Sequence, residues 1–378
     1  MSDISRPIED KEISRLVRPC VRTAAGRETK SPVSSSMLRL HANESPFNSP
    51  FNRYPASNYA DLKQEWGRHE GIPAKCCHLV RGTEEAVDLV LHTFCTPGKD
   101  RSLTVAPSRR VYVRRSELHG VECSEALLRA EDFSLDVDAL LEKVSLQTKV
   151  IFLCNPNCPT GNLISAEGIA ELAELFEGIV VIDESYIDYC PTFTSLQLLN
   201  RFSRIIILRS FSHAWAAAGA RLCMMVGHPD MIYYLQAAGL SHPVSSPEIE
   251  YAKELFTRRS DVDKWTRQIV EERMRMACAL AQLPFCKKVY PSVTNFLLVK
   301  VENASRLCAY LEQQQIAVTC FTNAAQGKSS GTQSDGRATV PTPRAAKDNR
   351  PTDCIRITIS LPSENSKLLG ALRKYSEL

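Results

Sequence analysis

No run of apolar residues in this 378-residue chain approaches the roughly 20 needed to cross a membrane as a helix. The N-terminus, MSDISRPIEDKE, has acids where a secretory leader would carry basic residues ahead of an apolar stretch. We therefore expect a cytoplasmic protein. An excess of charge is also missing: 46 basic against 43 acidic side chains leave +3, which gives no broad electrostatic footing for nucleic acid or a membrane surface. Internal repeats at solenoid periods are absent. So are metal-ligand spacings: Cys154 and Cys158 form a C-x-x-x-C with no second pair or nearby histidine, and Cys76 and Cys77 are adjacent, so no metal site is expected. The 14 cysteines are scattered through apolar segments and are expected to be buried free thiols.

What is present is an ordinary globular composition, 44% apolar and 24% charged, with length for about two to three domains. Residues 1–40 lack clean periodicity and are predicted to be an N-terminal arm, with Arg22 to Ser36 a polar, unpacked stretch. Residues 41–283 are predicted to form a large domain with its connecting helix. Thr83 to Cys95 has helical spacing, a threonine able to cap and two glutamates in the first turn, and so should begin a helix just after Gly82. His78-Leu79-Val80 is a short lead-in to it. Apolar, mostly β-branched runs at Leu103–Ala106, Val150–Cys154, Ile179–Ile182, Ile205–Leu208 and Leu222–Val226 read as strands buried on both faces. Helical stretches such as Ala166–Phe176 alternate with them, so the sheet should be mostly parallel and covered on both sides. A long helix is expected from Pro247 to about Leu283. Residues 284–378 then read as a small α+β domain, β-α-β-β-α, interrupted by a polar stretch from Thr322 to Asp353 that is predicted to be a flexible insertion.

Seven segments occur in order: HANESP at 41–46, RYP at 53–55, RGTEE at 81–85, NPNCPTG at 155–161, DESYIDY at 183–189, SFSHAWAAAGARL at 210–222 and IRITIS at 355–360. Together the chain resembles the histidinol-phosphate aminotransferases, a branch of the pyridoxal 5'-phosphate (PLP)-dependent transferases of aspartate-aminotransferase-like fold, over roughly Ile13 to Leu378. The resemblance implies an α/β large domain with a mostly parallel, seven-stranded type of sheet, a small C-terminal α+β domain and a dimer with sites at the subunit boundary. It implies that Asp183 faces the cofactor's pyridine nitrogen, which an electron-sink cofactor needs protonated, and that Tyr186 meets its phenolic oxygen. Gly82, Thr83, Ser210, Ser212 and Arg221 fall on the positions that hold the cofactor phosphate, a set suited to an anion at a helix N-terminus. Tyr54 matches the tyrosine given by a second subunit. Asn43 and Arg356 match positions on the substrate side, implying a small anionic amino substrate.

The sequence also departs from that pattern. At the place of the Schiff-base lysine stands His213, whose imidazole forms no stable Schiff base but titrates near neutrality and can act as a base. Cys158 takes the place of the asparagine that serves the cofactor's phenolate, and a thiol is a weak donor. Arg109 takes the place of the aromatic residue that stacks on the ring; a guanidinium can lie on a π-face but brings a positive charge to a ring already cationic. Thr319 stands where a substrate-side arginine is expected, and Arg22 to Lys30 lack the tyrosine segment that would contact a substrate phosphate. Arg109, Arg110 or Arg337 could serve another anion. Three functions follow. The chain is a PLP-dependent transferase moving an amino group between an amino donor and an oxo acid, or a pseudoenzyme that binds, as a homodimer or beside an active paralogue, or an enzyme that uses the amine form of the cofactor (PMP), held non-covalently, with His213 as base.

Overall fold

The computed structural model describes residues 11–25, 37, 38, 40–55, 59–322 and 351–377. Residues 26–36 of the expected polar arm and 323–350 of the expected flexible insertion, with Arg337, lie outside the described residues.

Seven strands make the larger sheet: β1 Cys77–Val80, β2 Arg101–Ala106, β3 Glu122–Leu127, β4 Thr148–Cys154, β5 Ile179–Asp183, β6 Ile205–Ser210 and β7 Cys223–Gly227. Their order is β1-β7-β6-β5-β4-β2-β3. Neighbours run parallel from β6 to β3, while β7 is antiparallel to both β6 and β1. The β-branched runs of β4, β5 and β6 are buried on both faces, which is why they read as continuous apolar segments rather than alternating ones. A second sheet, all antiparallel, joins β8 Cys286–Val289, β9 Phe296–Val301, β10 Thr319–Phe321 and β11 Cys354–Thr358 in the order β10-β11-β9-β8.

The helices are α1 Lys11–Leu16, α2 Pro19–Ala25, α3 Ala60–Glu70, α4 Gly82–Phe94, α5 Val111–Leu118, α6 Val137–Leu141, α7 Ala166–Leu175, α8 Pro229–Ala238, α9 Ser246–Thr257, α10 Arg259–Ala281, α11 Ala304–Gln313 and α12 Pro362–Tyr375. One apolar cluster surrounds the larger sheet, and another joins the end of α10 to the smaller sheet, α11 and α12.

The structure corrects several expectations. Part of the N-terminal arm is packed: Ile13 on α1, Val21 on α2 and Val17 between them are buried, and the Tyr233 hydroxyl donates to the Ala25 carbonyl at 2.8 Å. Those three residues are four apart, but the helix break before Pro19 falls between them and hides the period. Thr83 does not cap α4; the helix starts at Gly82 after Arg81, and Glu85 accepts the Arg81 backbone N–H at 2.5 Å. His78-Leu79-Val80 is not a lead-in but strand β1, paired with β7. The long helix expected from Pro247 is two, α9 and α10, parted at Arg258 (φ −94°, ψ 23°). At the junction the Thr257 hydroxyl donates to the Glu254 carbonyl at 2.7 Å, a side chain competing with the helix ladder. All 14 cysteines are free thiols, and eight of them are buried.

Candidate functional site

Two rows of strand register place the site at the C-terminal end of the parallel strands, the usual location in open α/β sheets. In the first row Cys154, Asp183 and Leu208 stand side by side on β4, β5 and β6. In the second, Ser210, Cys223 and Val80 stand side by side on β6, β7 and β1. Gly82 follows Val80, Ser212 follows Ser210 and Arg221 precedes Cys223, each by two positions. The second row therefore brings Gly82, Thr83, Ser210, Ser212 and Arg221 to one end of the sheet, at the N-terminus of α4.

Within this cup Gly82 has φ +81°, and a Cβ there would lie 2.8 Å from Arg221 Nη2, so glycine is what lets the guanidinium lie against the helix start. Arg221 itself is left-handed (φ 53°) and its Nη1 donates to the Ala218 carbonyl at 3.3 Å. The Ser212 N–H donates to Ser210 Oγ at 3.2 Å. Backbone N–H groups at a helix start, two hydroxyls and an arginine are the kind of groups that suit a phosphate-sized anion.

The first row carries a carboxylate with no free side. Asp183 is fully buried. Its Oδ2 accepts from Arg109 Nη1 at 2.5 Å and from the Tyr112 hydroxyl at 2.8 Å. Its Oδ1 accepts from the Ser185 N–H at 3.1 Å and from the Ser185 hydroxyl. Arg109, 20% exposed, also donates to Ser185 Oγ at 3.2 Å and, through Nη2, to Thr83 Oγ1 at 3.3 Å, so it spans the two halves of the site. Its loop is pinned by Asn157, which donates to the Pro107 carbonyl and accepts from Ser108 Oγ, both at 2.8 Å. Burial alone would lower the arginine's pKa, but the Asp183 carboxylate reverses this and holds it well above its ordinary value. Burial, and then Asp183, keep the Tyr112 phenol protonated.

His213 stacks on Tyr186, with ring centroids 4.5 Å apart and planes 19° from parallel. Burial, and after it the charge of Arg109, push its pKa down to about 4. At neutral pH it is an uncharged imidazole of low basicity. Tyr186 also meets the edge of Phe296 at 5.3 Å, and burial followed by Cys158 holds its phenol well above the ordinary range. Arg356 Nη1 donates to Cys158 Sγ at 2.9 Å and Nη2 to Thr319 Oγ1 at 3.2 Å, and its guanidinium lies 5.4 Å from the Phe296 ring centre. Thr319 and Arg356 are cross-strand partners.

The contacts of Tyr54 lie outside this cluster. Tyr54 is 57% exposed and stacks on His242 at 5.1 Å, with its N–H donating to Glu44 Oε1 at 2.8 Å. Asn43 is left-handed, with φ 52°, and Arg110 is exposed at the start of α5. Two residues that hold Asp183 escaped sequence reasoning. Ser185 was legible, because an Asp followed two places on by a backbone donor is an Asx turn. Tyr112 gave no signal, since only the folded α5 carries it to β5. Among the described residues no cluster of three or more His, Cys, Asp or Glu could hold a metal ion, and no helix is long and apolar enough to cross a membrane.

The model of "Aminotransferase class I and II" matches residues 39–350. Histidinol-phosphate aminotransferase of Parabacteroides distasonis is 35% identical over 371 residues, covering 96% of this chain and 99% of that protein. That of Bacteroides fragilis is 31% identical, covering 97% and 99%. Among solved structures, histidinol-phosphate aminotransferase from Clostridium acetobutylicum superposes with TM-score 0.72 at 21% identity, covering 86% of this chain and 91% of the other. That from Sinorhizobium meliloti, in complex with PLP, gives 0.71 at 21% identity and covers 100% and 99%. With its mixed seven-stranded sheet and small C-terminal sheet, the chain belongs to the class I and II aminotransferases, a PLP-dependent family, and within it to the histidinol-phosphate aminotransferase group.

Proposed function

We propose that this chain is a histidinol-phosphate-aminotransferase-like protein that takes a small phosphorylated ligand in the cup of Gly82, Thr83, Ser210, Ser212 and Arg221, and that lysine-dependent amino transfer is lost. The observation that carries this reading is His213 itself, an imidazole stacked on Tyr186 with ring centroids 4.5 Å apart, beside a buried Asp183 whose cation partner is the guanidinium of Arg109. Amino transfer through PLP needs a primary amine that can attach the cofactor and then shuttle a proton. A guanidinium stays protonated and does neither. We read His213 as standing where the family has that amine, and a neutral imidazole forms no lasting covalent link to an aldehyde.

The residues fit the cofactor at one end and not at the other. The cup suits a phosphate. Asp183, the carboxylate that would face the pyridine nitrogen, already accepts four hydrogen bonds from protein groups, and a carboxylate offers about four acceptor sites. No catalytic step is therefore drawn through the cofactor. His213 as base on the amine form is disfavoured by its pKa of about 4, far below the operating range of an efficient base. On the substrate side we assign Arg356 and Asn43 to an anionic amino compound. Tyr54 is proposed to reach the cup of a second copy in a cytoplasmic dimer, formed with an identical chain or a paralogue.

The test is borohydride reduction in the presence of PLP, followed by peptide mapping. The unmodified protein should carry no reduced adduct between residues 210 and 221, whereas His213→Lys combined with Arg109→Tyr, which frees Asp183 of its guanidinium, should carry one at position 213. Turnover of histidinol phosphate with an oxo acid by the unmodified protein, at rates of about 1 s⁻¹ or more, would refute the proposal.

A further inference from the structure

We propose that Arg109 is a built-in replacement for the cofactor's ring cation, so that the site is electrostatically complete without PLP and discriminates against a pyridinium ring while still admitting a phosphate. The inference takes from the reading above only that Asp183 is where such a ring would dock. It does not depend on whether amino transfer is lost.

The reasoning begins with Asp183. A carboxylate with no solvent exposure is stable as an anion only if a cation and hydrogen-bond donors replace the water it has lost. In a cofactor-dependent site a bound ring would supply that cation. Here Arg109 supplies it at 2.5 Å, and Tyr112 and both donors of Ser185 take the other positions on the two oxygens. A pyridinium approaching this carboxylate has to displace a guanidinium that is held on Asp183, Ser185 and Thr83 at once. Two cations competing for one buried anion exclude one another. Arg109 is also not free to swing away, because its second arm is on Thr83 Oγ1 at 3.3 Å and its loop is tied to Asn157 through Ser108 and Pro107.

Arg109 touches the cup only at Thr83 Oγ1 among its hydrogen bonds described above. Arg221 and Gly82 lie against one another on the other register row, and the donors to Asp183 named above are Arg109, Tyr112 and Ser185. The molecule admitted is accordingly a phosphate or phosphate monoester without a cationic aromatic ring.

The test uses PMP, which has no aldehyde and so forms no imine, with inorganic phosphate as the reference, both by isothermal titration calorimetry on the full chain. The unmodified protein should bind inorganic phosphate, and PMP within about threefold of it; no detectable phosphate binding overturns the proposal. Arg109→Tyr, which removes the competing cation, should bind PMP at least tenfold more tightly than phosphate, and its melting temperature should rise with PMP. Tyr112→Phe removes a hydrogen bond to Asp183 but leaves the guanidinium, and should gain no PMP preference; a gain there would show that a vacant acceptor, not charge, is what matters, and would overturn the proposal. Tenfold preference for PMP in the unmodified protein overturns it as well, as does Arg109→Tyr that folds without gaining one. If Arg109→Tyr does not fold, the ratio in the unmodified protein decides alone. None of these readouts measures amino transfer, so this inference and the proposed function fail separately.

Discussion

Arg209 shows at a single residue how charge is managed behind the site. Its buried guanidinium pairs with Glu184 at 3.0 Å, Glu70 at 3.1 Å and Asp188 at 3.7 Å. Burial already raises the Asp188 pKa, against the opposing pull of Arg209 and Arg259. Removing one partner of a buried ionic cluster leaves the others uncompensated, at a cost of about 3–5 kcal/mol. We expect Arg209→Leu to lose that much stability in urea unfolding at pH 7, and Arg209→Lys to recover part of it. Gly82 offers a second single-residue test. Gly82→Ala puts a side chain at φ +81° and against Arg221, so it should cost roughly 1–2 kcal/mol and weaken inorganic phosphate binding. At this scale the sequence was uneven. Asp183, Gly82 and Arg221 stood out because motifs surround them. The pairing of Arg109 with Asp183 did not, because it joins residues 74 apart in the chain.

Elements were legible where burial was complete. β4, β5 and β6 announced themselves as β-branched runs, but β3, Glu122–Leu127, is a sheet edge whose side chains are mostly not buried, so its residues carry no apolar pattern to read. The N-terminal helices stayed hidden for another reason, a period broken at Pro19. Their packing is nevertheless ordinary core, and Ile13→Ala should cost about 2–5 kcal/mol by chemical denaturation. β1 adds a pH dependence. Burial, then Lys63, lower the His78 pKa to about 4 from 6.5, so between those values the unfolded chain holds a proton that the folded one refuses. Stability is unaffected above pH 6.5 and falls as pH drops towards 4, by roughly 3 kcal/mol for this group. His213 acts in the same direction. Urea midpoints from pH 7 to pH 4.5 should show the decline, and His78→Gln should flatten part of it.

For the whole molecule, the segment before α3 leaves Phe47, Phe51 and Tyr54 exposed on the isolated chain, aromatic surface of the kind that interfaces cover. Sedimentation at micromolar concentration should give twice the chain mass, and Phe51→Asp should shift it towards the monomer. A persistent monomer would remove Tyr54 from any role at a second copy's cup. The two-sheet architecture was legible because alternating strands and helices leave few topologies open, whereas the state of the site was not, because it depends on which groups meet across the sheet.

The two register rows have a consequence for how damage spreads. The cup hangs on β6, β7 and β1, and the carboxylate on β4, β5 and β6, with Arg109 and the shared strand β6 as the links described between them. Perturbations at sites without shared partners add, whereas those in one network couple. Ser212→Ala combined with Tyr112→Phe should thus be additive to within about 0.5 kcal/mol, while Arg109→Leu combined with Tyr112→Phe should not. A protein built in this way behaves as two modules on one support: the half around the buried carboxylate can be rewritten residue by residue while the half around the start of α4 keeps its shape.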